Sequence, residues 1–244
     1  MLNQPFSPPP KPITDVWRPD LVALPKLTLG RRAFRVFMRG VTKLLTFTLL
    51  RVKVSGLENF PKDGPAIIVF NHLGDADMVL MMAMLSFKSP VEGIGKIELY
   101  DHWFVGPVFR AHGMIWVHRG QPDRRAIRAA LDALAEGRMV TLAPEGRQSV
   151  IGGLEQGNPG AAFLALKSGA PLVPIGLTGT ENSNVFGHLK RMKRALVTLS
   201  VGKPFFLQEH ANRQKTLREG TQQIMQSIAS LLPESYRGQY KSNS

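Results

Sequence analysis

A histidine and two aspartates stand together in the segment NHLGDAD, residues 71–77, directly after the apolar run AIIVF. In open α/β sheets, the ends of buried strands deliver catalytic groups to a crevice. On one regular helix, the spacing of His72 and Asp77 would separate them by about 140°. The two side chains can meet only if His72 lies on the turn before the helix, where Gly74 permits an irregular backbone. Asp77 would then hold one imidazole nitrogen and leave the other to take a proton from a hydroxyl, which is general base catalysis.

The same segment also has a purely structural interpretation. His72 could lie in a capped loop, and both acids could stabilise a helix N-terminus. Six histidines and eight aspartates in 244 residues give about 0.2 chance matches to H-x4-D. The pattern alone therefore does not identify a catalytic pair.

Composition excludes several other kinds of site. The chain has no cysteine, which rules out thiol nucleophiles, disulfide frameworks and cysteine-based metal sites. The patterns G-x-S-x-G and H-E-x-x-H are also absent, so the sequence indicates neither a serine-hydrolase elbow nor that class of metal site. The formal net charge of +13 predicts a polyanionic partner: nucleic acid, anionic lipid headgroups or a phosphorylated substrate.

The apolar periodicity after residue 50 alternates between strand-like and helix-like segments. This alternation predicts an α/β fold with a mixed, largely parallel sheet flanked by helices. Asp75 and Asn158 are the expected N-caps of two of the helices. The predicted strands cover residues 51–57, 65–70, 113–119, 139–146, 171–177 and 195–202, and the predicted helices cover 76–87, 122–137, 158–170 and 212–232.

The N-terminal part of the chain is proline-rich and strongly basic. Residues 1–54 hold ten basic and two acidic side chains, so eight of the thirteen net charges lie there. We interpret residues 1–28 as an extended arm, 29–50 as an amphipathic helix, 51–235 as the α/β domain and 236–244 as a tail. The helix places four basic residues in one stripe opposite an apolar face; they are Arg31, Arg35, Arg39 and Lys43.

Two interpretations of this helix remain open. It could bind a membrane interface, with the basic stripe facing anionic phospholipid, or it could dock on the core with a solvated basic face. Its longest uncharged run is far shorter than the roughly 20 apolar residues of a membrane span. No secretory signal is recognisable, so we expect peripheral binding to the cytoplasmic face of the cell membrane. Its basic residues are interleaved with aliphatic side chains, which argues against a nucleic-acid partner.

Five segments together point to one protein family. NHLGDAD resembles the H-x4-D signature of the glycerolipid acyltransferases, the family of the bacterial 1-acylglycerol-3-phosphate acyltransferases. GKIEL at residues 95–99 is similar to the K-x-E-L region of that family, and GMIWVHRG at 113–120 resembles its second block. LAPEGRQS at 142–149 resembles the third block, and PLVPIGL at 171–177 the fourth. The segments occur in the order that the family has.

This resemblance implies transfer of a fatty acyl group from acyl-CoA or acyl carrier protein to the hydroxyl of a lysophospholipid, most simply 1-acylglycerol-3-phosphate. It implies neither a metal nor another cofactor. Another lysolipid or an aminolipid acceptor is the alternative, and a basic membrane- or nucleic-acid-binding protein without catalysis is a more distant one. The implied catalytic residues are His72, Asp77, Glu145 and Gly146, and the implied substrate-binding residues are Asn71, Lys96, Arg119, Arg147 and Gln148.

The third block departs from the usual E-G-T-R. Here it reads Glu145, Gly146, Arg147, Gln148, so a neutral amide stands at the arginine position. Adjacent side chains on a strand end point to opposite faces, and Arg147 should not simply replace the missing group. We therefore expect an acceptor that is held mainly by Arg119, or one whose headgroup is not a bare phosphomonoester.

Overall fold

A computed structural model describes residues 8–85, 88–120, 122–209 and 211–241. These ranges form seven α-helices and seven strands, besides short 3-10 turns. The helices are α1 (Leu29–Leu49), α2 (Ala76–Met84), α3 (Val105–His112), α4 (Arg124–Ala135), α5 (Gly160–Ser168), α6 (Asn182–Leu189) and α7 (Arg213–Ser230). The strands are β1 (Leu50–Ser55), β2 (Ala66–Phe70), β3 (Val91–Lys96), β4 (Ile115–Val117), β5 (Met139–Leu142), β6 (Leu172–Thr178) and β7 (Ala195–Val201).

The strands form one sheet in the order β1-β7-β6-β2-β5-β3-β4. All neighbouring pairs are parallel except β6 and β7, so the predicted mixed, largely parallel sheet is confirmed. Successive residues of β2 belong to two different apolar clusters, because Ile67 and Val69 face one side of the sheet and Ile68 and Phe70 the other. Helices therefore cover both faces.

The topology brings five strand ends to one edge of the sheet. Strands β2 to β6 run in the same direction and end at this edge, whereas β1 and β7 begin there. We call it the carboxyl edge. It is the edge at which open α/β sheets bind their ligands.

Strand β3 was not predicted from the sequence, and neither were α3 and α6. The β3 sequence VEGIGK contains two glycines, which weaken a strand signal. Both glycines leave room for the side chain of Met114. A Cβ at Gly95 would lie 2.6 Å from the Met114 Cε atom, and a Cβ at Gly93 would lie 3.2 Å from it. The helices α3 and α6 have only eight residues each and contain glycine or proline. The last two residues of the predicted helix 76–87, Ser86 and Phe87, lie outside the described residues.

Asp75 occupies the N-cap position of α2, as predicted, but it has a helical backbone and its side chain makes no cap bond. The predicted cap at Asn158 is wrong. Asn158 instead donates to the backbone carbonyl of Glu145, and Pro159 occupies the position before α5. Asp77, in the first turn of α2, instead accepts hydrogen bonds from two backbone N–H groups of the turn that precedes the helix.

Helix α1 docks on the domain through its charged face. The Arg31 guanidinium donates to backbone carbonyls at the end of α3. Arg35 forms a bidentate pair with Glu92, whose carboxylate is fully buried, and Arg138 bonds to the same carboxylate. For Arg31 and Arg35, the expectation that the basic stripe faces lipid or solvent is therefore wrong. A buried carboxylate needs such partners, and these arginines supply them.

The opposite side of α1 is apolar and exposed. Val36 is 74% exposed and Leu44 70%, and Phe37 and Phe47 are also more than half exposed. Among the described helices, none is both long enough and apolar enough to cross a membrane. The helix thus presents to its surroundings the face that the sequence would have placed against the core.

Candidate active site

His72 lies on the turn between β2 and α2, two residues after the strand ends at the carboxyl edge. Its Nδ1 atom is 2.7 Å from Oδ2 of Asp77, which is fully buried in the first turn of α2. The imidazole is 23% exposed, and its Nε2 atom has no hydrogen-bond partner among the described residues. This is the arrangement that the spacing of the two residues requires for a general base.

Asp77 fixes both the imidazole and the turn that carries it. Its Oδ2 atom also accepts hydrogen bonds from the backbone N–H groups of Leu73, at 2.7 Å, and Gly74, at 3.0 Å. Oδ1 is buried and has no partner within the described part of the chain. The turn fits only glycine at position 74, because a Cβ there would lie 2.2 Å from the Thr180 carbonyl oxygen.

Glu145 links the loop after β5 to the turn that carries His72. Its Oε1 atom accepts the His72 backbone N–H at 2.9 Å, and its Oε2 atom accepts that of Glu155 at 2.8 Å. Burial raises the pKa of the Glu145 carboxyl to about 7, although both hydrogen bonds oppose this rise. With both oxygens bound to backbone, the carboxylate holds His72 in place and does not itself face the reaction.

Gly146 closes a tight turn rather than offering an oxyanion donor. Its backbone has φ of +75°, and its N–H donates to the Ala143 carbonyl at 3.0 Å. This N–H is therefore not available to donate to an oxyanion. The next two backbone N–H groups, of Arg147 and Gln148, have no hydrogen-bond partner in the described ranges. They are the N–H groups of this turn that could donate to a developing oxyanion.

Two cationic side chains stand farther along the carboxyl edge. Lys96 ends β3 and is exposed, and within the described residues it forms no ion pair. Arg119 follows β4, and its Nη2 atom donates to Oε1 of Glu98 at 2.9 Å. His72 follows β2 and Arg119 follows β4. In the strand order β2-β5-β3-β4, these two strands are about 14 Å apart. A long substrate can therefore reach from the base to the cations along one edge.

The side chains of Asn71 and Arg147 form hydrogen bonds within the protein. Both ends of the buried Asn71 amide bond to the backbone of Leu177, at 2.9 and 2.7 Å, so Asn71 links β2 to β6. The Arg147 guanidinium turns inward, where Nε donates to Glu155 at 2.7 Å and Nη1 donates to the Pro9 carbonyl at 2.8 Å. Both residues hold the site together, in place of the substrate contacts that the resemblance implied.

Gln148 is bound to the carboxylate of Asp75, which lies in the turn between β2 and α2. Its Nε2 atom donates to Oδ1 of Asp75 at 2.8 Å, and Asn182 donates to the other oxygen of Asp75 at 3.1 Å. The position that carries an arginine in the usual third block thus holds a neutral amide paired with an exposed acid.

A second histidine–aspartate pair was missed. His118 Nδ1 is 2.7 Å from Asp123 Oδ2, the same distance as in the first pair, and the two residues repeat the H-x4-D spacing. That spacing could have found them. His118 is buried, however, and its Nε2 atom accepts the Arg18 backbone N–H at 3.0 Å, so it cannot act as a base. Glu155, which binds both Glu145 and Arg147, had no comparable signal in the sequence.

Comparison with known proteins gives consistent matches. The model of the family described as Acyltransferase matches residues 51–178. The 1-acyl-sn-glycerol-3-phosphate acyltransferase of Borreliella burgdorferi is 30% identical over 60% of this chain and 59% of its own length. The chloroplastic 1-acyl-sn-glycerol-3-phosphate acyltransferase LPAT1 of Arabidopsis thaliana is 27% identical over 71% of this chain and 49% of its own length. The chain thus spans about half to three fifths of these relatives.

A solved structure shares the fold. The crystal structure of the 1-acyl-sn-glycerophosphate acyltransferase PlsC from Thermotoga maritima aligns with a TM-score of 0.62 over 84% of each chain, at 23% identity. At this identity the likeness concerns the arrangement of strands and helices.

Proposed function

Since the chain belongs to the acyltransferase family, we propose that it moves a fatty acyl group from an acyl thioester to the free hydroxyl of a lysophospholipid. The observation that carries this proposal is the His72–Asp77 pair, which presents an available Nε2 atom at the carboxyl edge. We take acyl-CoA or acyl carrier protein as the donor. The names of the relatives and the cations at Lys96 and Arg119 make 1-acylglycerol-3-phosphate the first acceptor to test.

The residues support a direct transfer. His72 Nε2 takes the proton of the acceptor hydroxyl, and the oxygen attacks the thioester carbonyl to give a tetrahedral oxyanion. Asp77 stabilises the imidazolium formed in this step. Collapse of the intermediate breaks the carbon–sulfur bond, and the imidazolium returns its proton to the leaving thiolate. No acyl-enzyme is needed, in agreement with the absence of cysteine.

The test is thiol release from acyl-CoA and from acyl carrier protein, with a panel of lysolipid acceptors. His72→Ala should remain folded and lose at least about a hundredfold in rate, the lower range for removal of a positioned general base. A folded His72→Ala protein with near wild-type turnover would refute the mechanism.

A second class of acceptor is favoured by one feature of the site. The neutral Gln148 stands at the usual arginine position and is bound to the exposed Asp75 carboxylate, and this combination suits a headgroup with a positive charge, such as that of an aminolipid. If this acceptor is the right one, Gln148→Arg should lower activity with it, because the new arginine would neutralise Asp75. A wild-type preference for lysophosphatidic acid over every amine-bearing lysolipid would exclude this acceptor.

We also propose that the protein binds peripherally to the cytoplasmic face of the membrane through the exposed side of α1. The residues 190–194 adjoin the end of this helix, because Arg194 donates to the carbonyls of Phe47 and Leu50. At their centre Met192 is 97% exposed. It is flanked by Lys190, Arg191 and Lys193, none of which forms an ion pair in the described ranges. Apolar side chains would enter the lipid, and these cations would face anionic headgroups.

Vesicle co-sedimentation tests the membrane proposal. Phe37→Ser with Leu44→Ser should release the protein from anionic vesicles, whereas Leu57→Ser, an exposed leucine beyond the other end of β1, should not. High salt should weaken binding only in part, because Arg31 and Arg35 already bind protein groups. Binding that is unchanged in the double variant would contradict the proposed role of α1.

A further inference from the structure

The proline-rich arm runs along the carboxyl edge, from the loop after β5 to Arg119. Pro9 and Pro10 accept hydrogen bonds from Arg147. Lys11 donates to the Gln156 carbonyl at 2.6 Å. Thr14 forms hydrogen bonds with the backbone of Arg119. The described part of the arm, residues 8–28, is therefore a fixed wall of the site, although its sequence shows only an extended, periodicity-free segment.

The arm is anchored at the second histidine–aspartate pair. The Trp17 ring lies 4.5 Å from the His118 ring, centroid to centroid, and the Arg18 backbone N–H donates to His118 Nε2. The Arg18 guanidinium also pairs with Asp101 at 2.8 Å. Together these contacts set the position of Thr14, three residues before Trp17.

Thr14 bonds to both members of the Arg119–Glu98 pair. Its backbone N–H donates to the Arg119 carbonyl at 3.0 Å, and its hydroxyl oxygen accepts the Arg119 backbone N–H at 2.7 Å. The same hydroxyl donates its proton to Oε1 of Glu98 at 3.2 Å. One hydroxyl thus fixes the arginine backbone and the carboxylate that faces it.

The Arg119–Glu98 pair is joined by a single hydrogen bond and leaves two buried atoms unsatisfied. Nη2 of Arg119 bonds to Oε1 of Glu98, whereas Arg119 Nε and Glu98 Oε2 have no partner among the described residues. A guanidinium and a carboxylate ordinarily form two parallel bonds. With its hydroxyl on Oε1, Thr14 opposes rotation of Glu98 into that bidentate pair. Because Nε is buried, an anionic oxygen can reach this guanidinium only at Nη1, which forms no hydrogen bond among the described residues.

We infer that Thr14 is a positioning residue that keeps Arg119 open for the phosphate of the acceptor. This inference rests on the proposed function and adds to it a determinant of acceptor specificity in the N-terminal arm. Without the hydroxyl, Glu98 can close on Arg119 and compete with the phosphate. The loss should appear in acceptor binding and only for acceptors that carry a phosphate.

The test compares Thr14→Val with Thr14→Ser and with Val16→Thr, the reverse exchange at an exposed arm position. Thr14→Val should raise the KM for lysophosphatidic acid at least about tenfold, as expected for a hydrogen bond to a charged group. Its kcat should change less than about twofold. Thr14→Ser keeps the hydroxyl and should restore the wild-type KM. Val16→Thr should have no effect, and a phosphate-free monoacylglycerol should show no difference between the variants.

Binding of a short-chain lysophosphatidic acid below its micelle concentration, measured by calorimetry, separates this inference from the proposed function. If the wild type transfers no acyl group but binds this ligand, and Thr14→Val weakens that binding, the inference stands and the function fails. Unchanged affinity in Thr14→Val overturns the inference, as does absence of binding in the wild type. An equal loss with the phosphate-free acceptor would show that the arm acts only as structural support, and would also overturn it.

Discussion

Replacement of Asp77 by asparagine should separate the charge of this residue from its structural role. All three donors that reach Asp77 converge on Oδ2, and Oδ1 has no partner in the described ranges. An asparagine can place its carbonyl oxygen where Oδ2 lies and its NH2 group where Oδ1 lies. The hydrogen bonds to the His72 ring and to the turn are then kept, but the negative charge is lost.

The magnitude follows from the kind of bond that changes. A hydrogen bond to a charged group contributes about 1.5–3 kcal/mol, and a neutral one about 1 kcal/mol. Folding should suffer little, because a buried charge disappears together with its desolvation cost. Catalysis should suffer more, because the imidazolium formed during proton transfer loses its counter-charge. The change in this one bond gives about 0.5–2 kcal/mol, and the weakened general base brings the expected loss to about a hundredfold, or about 2.7 kcal/mol in the transition state.

The assay is thiol release with the preferred acceptor, measured beside urea unfolding of the same protein samples. Asp77→Asn should unfold within about 1 kcal/mol of the wild type and turn over about a hundredfold more slowly. Asp77→Ala serves as the control, because it removes all three bonds and should lose stability as well as rate. A folded Asp77→Asn protein with turnover within about fivefold of the wild type would refute the assigned role of the charge.

Three further predictions concern stability. The raised pKa of Glu145 means that the folded state holds its proton more tightly than the unfolded state. As the pH rises from about 4.5 to 7, the wild type should therefore lose up to about 3 kcal/mol of unfolding free energy relative to Glu145→Gln. Urea titrations would show this loss. Gly74→Ala should cost about 1–3 kcal/mol and most of the activity through its clash with Thr180, a result that thermal unfolding and the thiol assay would check. Arg35→Met should expose α1 to proteolysis and cost about 2–3 kcal/mol, because buried Glu92 loses one of its two arginines.

The sequence predicted those parts of the site that depend on local spacing. The H-x4-D pattern with Gly74 in the turn allows the imidazole and the carboxylate to meet, and they do so at 2.7 Å. The alternation of apolar segments likewise predicted the mixed sheet. By contrast, β3 could not be recognised, because Gly93 and Gly95 form a strand only under the side chain of Met114.

The sequence could not predict which face of α1 docks. Helical periodicity separates a basic from an apolar side but does not say what lies opposite either of them. The deciding partner is Glu92, buried in a strand that the sequence did not reveal, and its carboxylate draws Arg35 inward. The apolar side is consequently left outside. An amphipathic pattern therefore indicates two faces, and the charges of the neighbouring strands decide which of the two is exposed.

The shifted arginine of the third block is explained by the same kind of long-range contact. Arg147 stands one residue before the usual arginine position, and it points to buried Glu155 and to the carbonyls of Pro9 and Pro10. The residue that follows, Gln148, instead donates to Asp75, which precedes α2. The chain has thus used its third-block arginine to fasten the N-terminal arm. The arm in turn brings Thr14 to Arg119. The same sequence change that leaves Gln148 in place of an arginine therefore also helps to hold the arm that positions Arg119.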